Sequence, residues 1–176
     1  VETMARAGCQ AICFGVESGS QEILDLVKKK SNLAKVKEAM RMTQAAGISA
    51  LASFIIGLPG ETEESLRKTV EFANELHSEF GSLYGFHILA PFPGTEVRER
   101  AAEYGLEILT DDWTKYDANH VVTRTKGAST EAIDEKKERA AAAVSSFRMR
   151  SYVALTSSAV IGSPLWKTTP LRTTNS

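Results

Sequence analysis

An apolar run that ends in a glycine-proline turn and an acidic helix start constrains the fold of this chain more than any other segment. The run is FIIGLPGET at residues 54–62, and a similar strand-to-helix transition, GVESGS, lies at residues 15–20. Both segments indicate a βα unit, in which a strand leads through a short loop into a helix. The loops of such units gather at one end of a parallel sheet, where the corresponding folds bind ligands.

The composition is that of an ordinary globular protein. Of 176 residues, 43% are hydrophobic and 24% are charged, and the formal net charge is -1. Because there is no basic excess to attract a phosphate backbone, no nucleic acid partner is expected. Two cysteines, no signal peptide and no membrane-length apolar run predict a soluble, cytoplasmic protein with no membrane partner.

Strand and helix patterns alternate along the chain. Strands are predicted at 11–16, 48–56 and 83–89, and helices at 21–30, 33–46, 63–77 and 96–104. This alternation predicts an α/β fold with a parallel sheet and helices on its outer face. Ser31 and Thr62 are the expected N-caps of the helices that begin at 33 and 63, and Gly47 is the expected left-handed residue after the first of them.

The two ends of the chain differ in pattern. Residues 1–8 are typical of the last turns of a helix whose beginning is absent, so we expect a fragment of a longer protein. A further helix is predicted at 130–151. The Ser-, Thr- and Pro-rich segment from 156 onward is too polar to bury a core, and we expect it to be disordered.

Strand alternation predicts which side chains share a face. Residues 11, 13, 15 and 17 lie on one face, where small side chains lead to the carboxylate of Glu17, and the bulkier residues lie on the other. By the same count Ser53 and Ile55 share a face of the second strand. The hydroxyl of Ser53 is then either a hydrogen-bonded core group or a ligand contact.

Five motifs in order carry a family resemblance. They are GVESGS at 15–20, ILDLVKK at 23–29, AGI at 46–48, FIIGLPGET at 54–62 and APFPGTE at 90–96. Together they resemble the second half of the radical S-adenosylmethionine (radical SAM) enzymes, most closely the cobalamin-binding class. The resemblance implies a partial (βα)6 TIM-like barrel over 1–125 that holds strands four to six, then a C-terminal helical extension over 126–155 and a disordered tail over 156–176.

The resemblance also implies a set of contacts to S-adenosylmethionine. The corresponding residues are Glu17, Ser18, Lys29, Ser53, Ile55, Gly57 and Pro59. Glu17 corresponds to a residue that accepts hydrogen bonds from the ribose, although a helix-start carboxylate is the alternative. Lys29 corresponds to a basic group near the cofactor's carboxylate, although a solvated helix end in the lysine run 28–30 is equally compatible with the pattern. Ser53 faces the nucleoside, Ile55 lies under the adenine, and the turn that Gly60 completes approaches the adenine edge.

The cysteine pattern departs from the family. Radical SAM enzymes hold a 4Fe-4S cluster with Cys-x-x-x-Cys-x-x-Cys. Cys9 and Cys13 have the first spacing, but Val16 stands where the third cysteine would be. We expect Cys13 to lie inside a buried strand, so the pair is predicted to pack rather than bind metal. The cluster ligands would come from a missing N-terminal half, and this chain alone is expected to be inactive.

The histidines and late aromatic residues show no catalytic or metal-binding spacing. His77 is predicted to lie on the surface at a helix end, and His120 has no assigned role. His87 is a candidate to point inward, near the substrate. Trp113 and Tyr116 are expected to cover the open edge of the barrel.

The function implied by the resemblance is radical chemistry on a small-molecule substrate. The whole enzyme would use S-adenosylmethionine and the 4Fe-4S cluster to form a 5′-deoxyadenosyl radical for C–H activation, leading to methylation, oxidation or cyclisation, and the use of cobalamin stays open. One alternative is a tRNA methylthiotransferase, but those enzymes usually have Gln at the position of Glu17 and a basic appendage. Another is a non-catalytic half-barrel that acts as a structural or interaction module.

Overall fold

Helices alternate with the strands of a small parallel sheet, and a two-stranded antiparallel pair follows. The computed structural model describes residues 1–127. The helices are α1 (Glu2–Arg6), α2 (Gln21–Leu26), α3 (Leu33–Ala45), α4 (Glu63–Phe80) and α5 (Glu96–Glu99). The strands are β1 (Ala11–Glu17), β2 (Ser49–Ile56), β3 (Leu83–Ile88), β4 (Leu106–Ile108) and β5 (Thr123–Thr125). The order β1-β2-β3 with parallel pairing confirms the predicted α/β fold, and β4 pairs antiparallel with β5.

Three of the sequence predictions concern the C-terminal part of the chain. The helix at 130–151 and the tail at 156–176 lie outside the described residues, as does nearly all of the extension at 126–155. Within residues 1–127 no helix combines the length and the apolar character needed to cross a membrane.

One face of the parallel sheet carries the main hydrophobic core. Helices α3 and α4 pack over alternate residues of the strands. The buried side chains of this cluster are Val16, Val36, Met40, Ala50, Ala52, Phe54, Phe72, Ala73 and Leu76. Burying a large apolar side chain contributes about 1.5–3 kcal/mol, so this face determines how the helices sit on the sheet.

The opposite face of the sheet is much more exposed. Leu51 is 38% exposed and Leu83 39%, and Cys13 and His87 are also exposed. The face shared by residues 11, 13 and 15 is therefore the open one, as strand alternation predicts. The prediction that Cys13 is buried is wrong, because its place in the alternation puts the thiol on this open face.

The helix starts and ends follow local capping rules in part. Helix α5 ends at Glu99, before the predicted residue 104, and α4 ends at Phe80, after the predicted residue 77. Thr62 caps α4 and forms a capping box with Ser65, and Gly47 is left-handed with φ 71°, both as predicted. The N-cap of α3 is Asn32 rather than Ser31, because the Asn32 side chain accepts from the Lys35 N–H at 2.8 Å. Helix α2 ends at Leu26, four residues before the predicted end.

Candidate ligand-binding site at the carboxyl end of the sheet

A row of small residues crosses the open face near the carboxyl ends of the strands. Gly15 of β1 is in register with Ser53 of β2, which is in register with Gly85 of β3. Because the two glycines have no side chains, the row forms a shallow trough with the Ser53 hydroxyl at its centre. Ile55 and His87 form the next in-register pair on this face, toward the carboxyl ends of β2 and β3.

Glu17 reaches this trough through an irregularity at the end of β1. The register shifts between Gly15 and Glu17, so Val16 is an extra residue, and Glu17 adopts a left-handed φ of 69°. Its side chain folds back along the strand, since a Cβ built on Gly15 would lie 2.6 Å from Glu17 Oε1. The carboxylate therefore lies over Gly15, on the open face that also carries Ser53.

Lys29 contacts Glu17 directly. Its ammonium group donates to Glu17 Oε1 at 2.8 Å, with 37% of the lysine side chain and 20% of the glutamate side chain exposed. The alternative of a solvated helix end is therefore wrong for Lys29. The structure brings this ammonium to Glu17, whereas the resemblance placed it near the cofactor's carboxylate.

The chain reversal after α2 explains why Lys29 points toward the sheet. The Lys29 N–H donates to the Leu24 carbonyl and the Lys28 N–H to the Asp25 carbonyl. These two bonds, with Lys28 at φ 59°, make a Schellman motif. The reversal sends three consecutive lysines in different directions, and Lys30 is exposed.

Lys28 has its own partner away from the trough. It forms a 2.6 Å ion pair with Glu96, which also accepts from the Tyr104 hydroxyl. The hydrogen bond to Glu96 raises the pKa of Lys28, and the same bond lowers the pKa of Glu96. Lys28 thus links the end of α2 to α5, although 63% of its side chain is exposed.

The turn after β2 is built around a buried carboxylate. Gly57 and Gly60 have φ of 89° and 74°, and the Glu61 N–H donates to the Leu58 carbonyl. Together with Pro59, this arrangement is typical of a type II turn. Glu61 is fully buried and accepts from the Gly57 N–H at 2.5 Å. The sequence did not lead us to predict this role of Glu61. A glutamate four residues after Gly57, across a tight turn, is nevertheless a signal for it.

Two of the implied site residues lie outside the trough, and a third is partly covered. Ser18 is fully buried; its hydroxyl lies 3.2 Å from Thr69 Oγ1 and accepts from the Ser20 N–H, so it anchors the loop to α4. Pro59 is buried in the turn. Ile55 is half-buried against an apolar cluster at the carboxyl ends of the strands, whose buried members are Ile23, Leu58, Leu89 and Leu106.

The three histidines have different surroundings. His77 lies in the last turn of α4, as predicted, and is half-buried, with Nδ1 2.9 Å from the Ser82 carbonyl. His120 is exposed and bonds to Asp117, and this hydrogen bond lowers the pKa of Asp117 to about 2. His87 is exposed on the open face, on the strand farthest from Glu17.

The late aromatic residues cluster around an arginine. Arg98 lies over the rings of Trp113 and Tyr116, at 5.1 and 5.6 Å, and donates to the Tyr116 hydroxyl. Tyr116 is 5% exposed, whereas Trp113 is 50% exposed.

The cysteines of this chain do not fit a 4Fe-4S cluster. The sequence has two cysteines, and such a cluster in this family needs three thiolates. Within residues 1–127 no group of three or more His, Cys, Asp or Glu residues has an arrangement that could hold a metal ion. This chain therefore supplies no cluster site by itself.

The described residues form an α/β segment in which helices alternate with a parallel sheet. Residues 1–73 match the model of the Radical SAM superfamily. An uncharacterised methyltransferase of Pyrococcus horikoshii is 34% identical over 139 residues, which is 79% of this chain and 29% of that protein. The resemblance to the radical SAM superfamily is thereby confirmed.

Other relatives include enzymes with named reactions. Bacteriochlorophyllide d C-8(2)-methyltransferase of Chlorobaculum tepidum is 29% identical over 127 residues, which is 71% of this chain and 27% of that enzyme. The structure of the radical S-adenosylmethionine methyltransferase TsrM of Kitasatospora setae, with cobalamin and a 4Fe-4S cluster bound, has a TM-score of 0.49 and 22% identity, covering 74% of this chain and 26% of that one. The chain spans less than a third of the length of these relatives.

Proposed function

We propose that this chain supplies the nucleoside-binding part of the S-adenosylmethionine site in a radical SAM enzyme. The observation that carries the proposal is the Glu17 carboxylate held over Gly15, beside the row that contains Ser53. A carboxylate accepts hydrogen bonds from two vicinal ribose hydroxyls, and the open space at Gly85 lets a flat base approach the backbone. The row Gly15–Ser53–Gly85 would then lie beneath the nucleoside, and the Gly57–Glu61 turn would border the adenine.

The proposed site assigns different tasks to the implied residues. Glu17 would bind the ribose, Ser53 would contact the nucleoside, and Ile55 would supply an apolar surface under the adenine. Gly57 and Pro59 would shape the turn, but the Gly57 N–H already donates to Glu61, so it is not a donor for the base. Ser18 would act indirectly, by fixing the loop that follows Glu17 to α4.

We further propose that this chain and a missing N-terminal half of the same protein together form the whole enzyme. That enzyme would methylate a small organic substrate. The cluster and S-adenosylmethionine together supply a 5′-deoxyadenosyl radical in such enzymes, and cobalamin is the proposed methyl carrier. Methylation is favoured over cyclisation because the relatives with 34% and 29% identity are named as methyltransferases. Cyclisation is the second candidate, because a magnesium-protoporphyrin ester cyclase is 30% identical over 112 residues.

The proposal is tested by titrating the chain with 5′-deoxyadenosine and following amide signals by NMR. We expect saturable shifts at Gly15, Glu17 and Ser53. Glu17→Ala should weaken binding by about 1–3 kcal/mol, because buried polar groups of the ligand lose their partner. Ser53→Ala should have a smaller effect in the same direction.

The matched control is Lys30→Ala, since Lys30 is exposed and belongs to the same lysine run. It should leave the affinity for 5′-deoxyadenosine unchanged. Lys28→Ala is a poorer control because Lys28 pairs with Glu96. If the Glu17→Ala variant binds 5′-deoxyadenosine as tightly as the parent, Glu17 is not part of the site and the proposal is wrong.

A further inference from the structure

We infer that Glu96 is a positioning residue for Lys29, and that it acts through Lys28 and the chain reversal after α2. The inference rests on the proposed function, because Lys29 borders the trough in which the ligand would bind. Its Nζ lies 3.4 Å from the position of a Cβ built on Gly15. Glu96 lies on α5, beyond the carboxyl end of β3, and it pairs with Lys28 rather than with a residue of the trough.

The reversal lacks the residue type that usually forms it. Lys28 occupies the left-handed position of the Schellman motif, with φ 59°. Glycine is usual there, because a side chain in the left-handed region clashes with the following carbonyl oxygen and costs free energy. Lysine also favours continuation of the helix by propensity. A contact that Lys28 makes only in the reversed conformation would therefore stabilise the reversal.

Glu96 supplies this contact. Its Oε1 accepts from Lys28 Nζ at 2.6 Å. The same oxygen accepts from Arg100 Nη1 at 2.9 Å and from the Tyr104 hydroxyl at 2.8 Å. Because Arg100 and Tyr104 follow Glu96 closely along the chain, they hold its carboxylate on its own segment, and the pairing with Lys28 costs less side-chain entropy. The hydrogen bond to Glu96 also raises the pKa of Lys28, as expected for a stabilised ammonium.

The reversal in turn determines where Lys29 lies. The Lys29 N–H donates to the Leu24 carbonyl at 2.8 Å, a bond that forms when Lys28 is left-handed. From that position the Lys29 ammonium reaches Glu17 Oε1 at 2.8 Å. Loss of the left-handed conformation would break the main-chain bond and redirect the chain, so the ammonium would leave the trough. This dependence is the same whether Lys29 meets the ribose side of the ligand or its amino acid part.

The exposure of the ion pair sets the size of the expected effect. The Lys28 side chain is 63% exposed and that of Glu96 43%. A pair with this exposure is screened by salt and contributes modestly. Its loss should therefore weaken ligand binding by about twofold to fivefold, with the larger effect at low salt.

The test measures S-adenosylmethionine affinity and hydrogen exchange of the Lys29 amide, both by NMR on the chain. Glu96→Ala should weaken binding about twofold to fivefold at low salt and less at high salt, and it should speed exchange of the Lys29 amide. Glu103→Ala is the matched control, because it removes a carboxylate of the same segment that pairs with Arg100. It should change neither the affinity nor the exchange rate.

A glycine at position 28 separates positioning from a general loss of stability. Glycine adopts the left-handed conformation without a partner, so Lys28→Gly should bind S-adenosylmethionine as the parent does, although it loses the ion pair. Adding Glu96→Ala to Lys28→Gly should change nothing further. If Glu96→Ala weakens binding equally in both backgrounds, Glu96 acts by another route and the inference is wrong.

The remaining outcomes separate this inference from the proposed function. If the parent binds S-adenosylmethionine and Glu96→Ala changes neither the affinity nor the exchange rate, the inference is wrong and the proposed function stands. If the parent binds neither S-adenosylmethionine nor 5′-deoxyadenosine, the proposed function is wrong. The Lys29 amide still tests the link to Glu96 in that case, because its exchange needs no ligand, and a rate that Glu96→Ala leaves unchanged contradicts the link.

Discussion

Gly15 and Gly19 both lack room for a side chain, but the atoms that surround them differ. A Cβ on Gly15 would meet the Glu17 carboxylate at 2.6 Å, which is the far end of a flexible side chain. A Cβ on Gly19 would meet the Lys68 carbonyl and Thr69 Cα, each at 2.6 Å, and these are backbone atoms of α4 that cannot move independently. The first glycine makes room for the site, and the second lets a loop approach a helix.

These surroundings predict a clear difference between two alanine variants. Gly15→Ala should change stability by less than about 1 kcal/mol, because only the glutamate side chain must move. It should nevertheless weaken 5′-deoxyadenosine binding. Gly19→Ala should destabilise the fold by about 1–3 kcal/mol through overpacking. Urea unfolding with a binding titration checks both, and a stability loss for Gly15→Ala equal to that for Gly19→Ala would contradict this reading.

At the scale of elements, the sequence predicted the strands and two of the three expected helix-terminal residues, because alternation and capping are local. Thr62 and Gly47 illustrate this success. The bulge at Glu17 was not predictable in the same way, because a register shift depends on the partner strand β2. The end of α2 was also missed. Residues 28–30 are lysines, which are good helix formers by propensity. The partners Glu96 and Glu17, which Lys28 and Lys29 reach after the chain reversal, are distant in sequence.

The reversal at Lys28 makes a prediction about helix α2. A residue other than glycine in the left-handed region costs free energy, so Lys28→Gly should be more stable than Lys28→Ala by about 1 kcal/mol. Both variants lose the ion pair with Glu96, so their difference isolates the backbone effect. Thermal or urea unfolding measures it. Equal stability of the two variants would show that the backbone at Lys28 carries no such cost.

At the scale of the molecule, the two faces of the parallel sheet differ in exposure within the described part of the chain. Helices cover one face of the parallel sheet, whereas the other face exposes Leu51 and Leu83 and strand β1 lies at a sheet edge. Exposed apolar surface and unpaired strand edges favour association between chains. The one-sided burial also agrees with the proposal of a half-barrel, which would need further strands to enclose a ligand.

We therefore expect the chain by itself to associate as its concentration rises. Leu51→Lys should shift the population toward the monomer, because it places a charge in the middle of the open face. Met42→Lys is the matched control, since Met42 is 43% exposed but lies on helix α3. Sedimentation velocity measures the distribution. A parent chain that stays monomeric at high concentration would argue that the open face is no interaction surface.

The buried Glu61 has a consequence for how the molecule opens. The Gly57 amide hydrogen can exchange with deuterium from solvent only after the Glu61 carboxylate leaves it, and Glu61 directly precedes the Thr62 cap of α4. Unwinding of the first turn of α4 and release of the end of β2 are therefore expected to be one event. The exchange rate of this single amide reports how often the carboxyl end of the sheet comes apart.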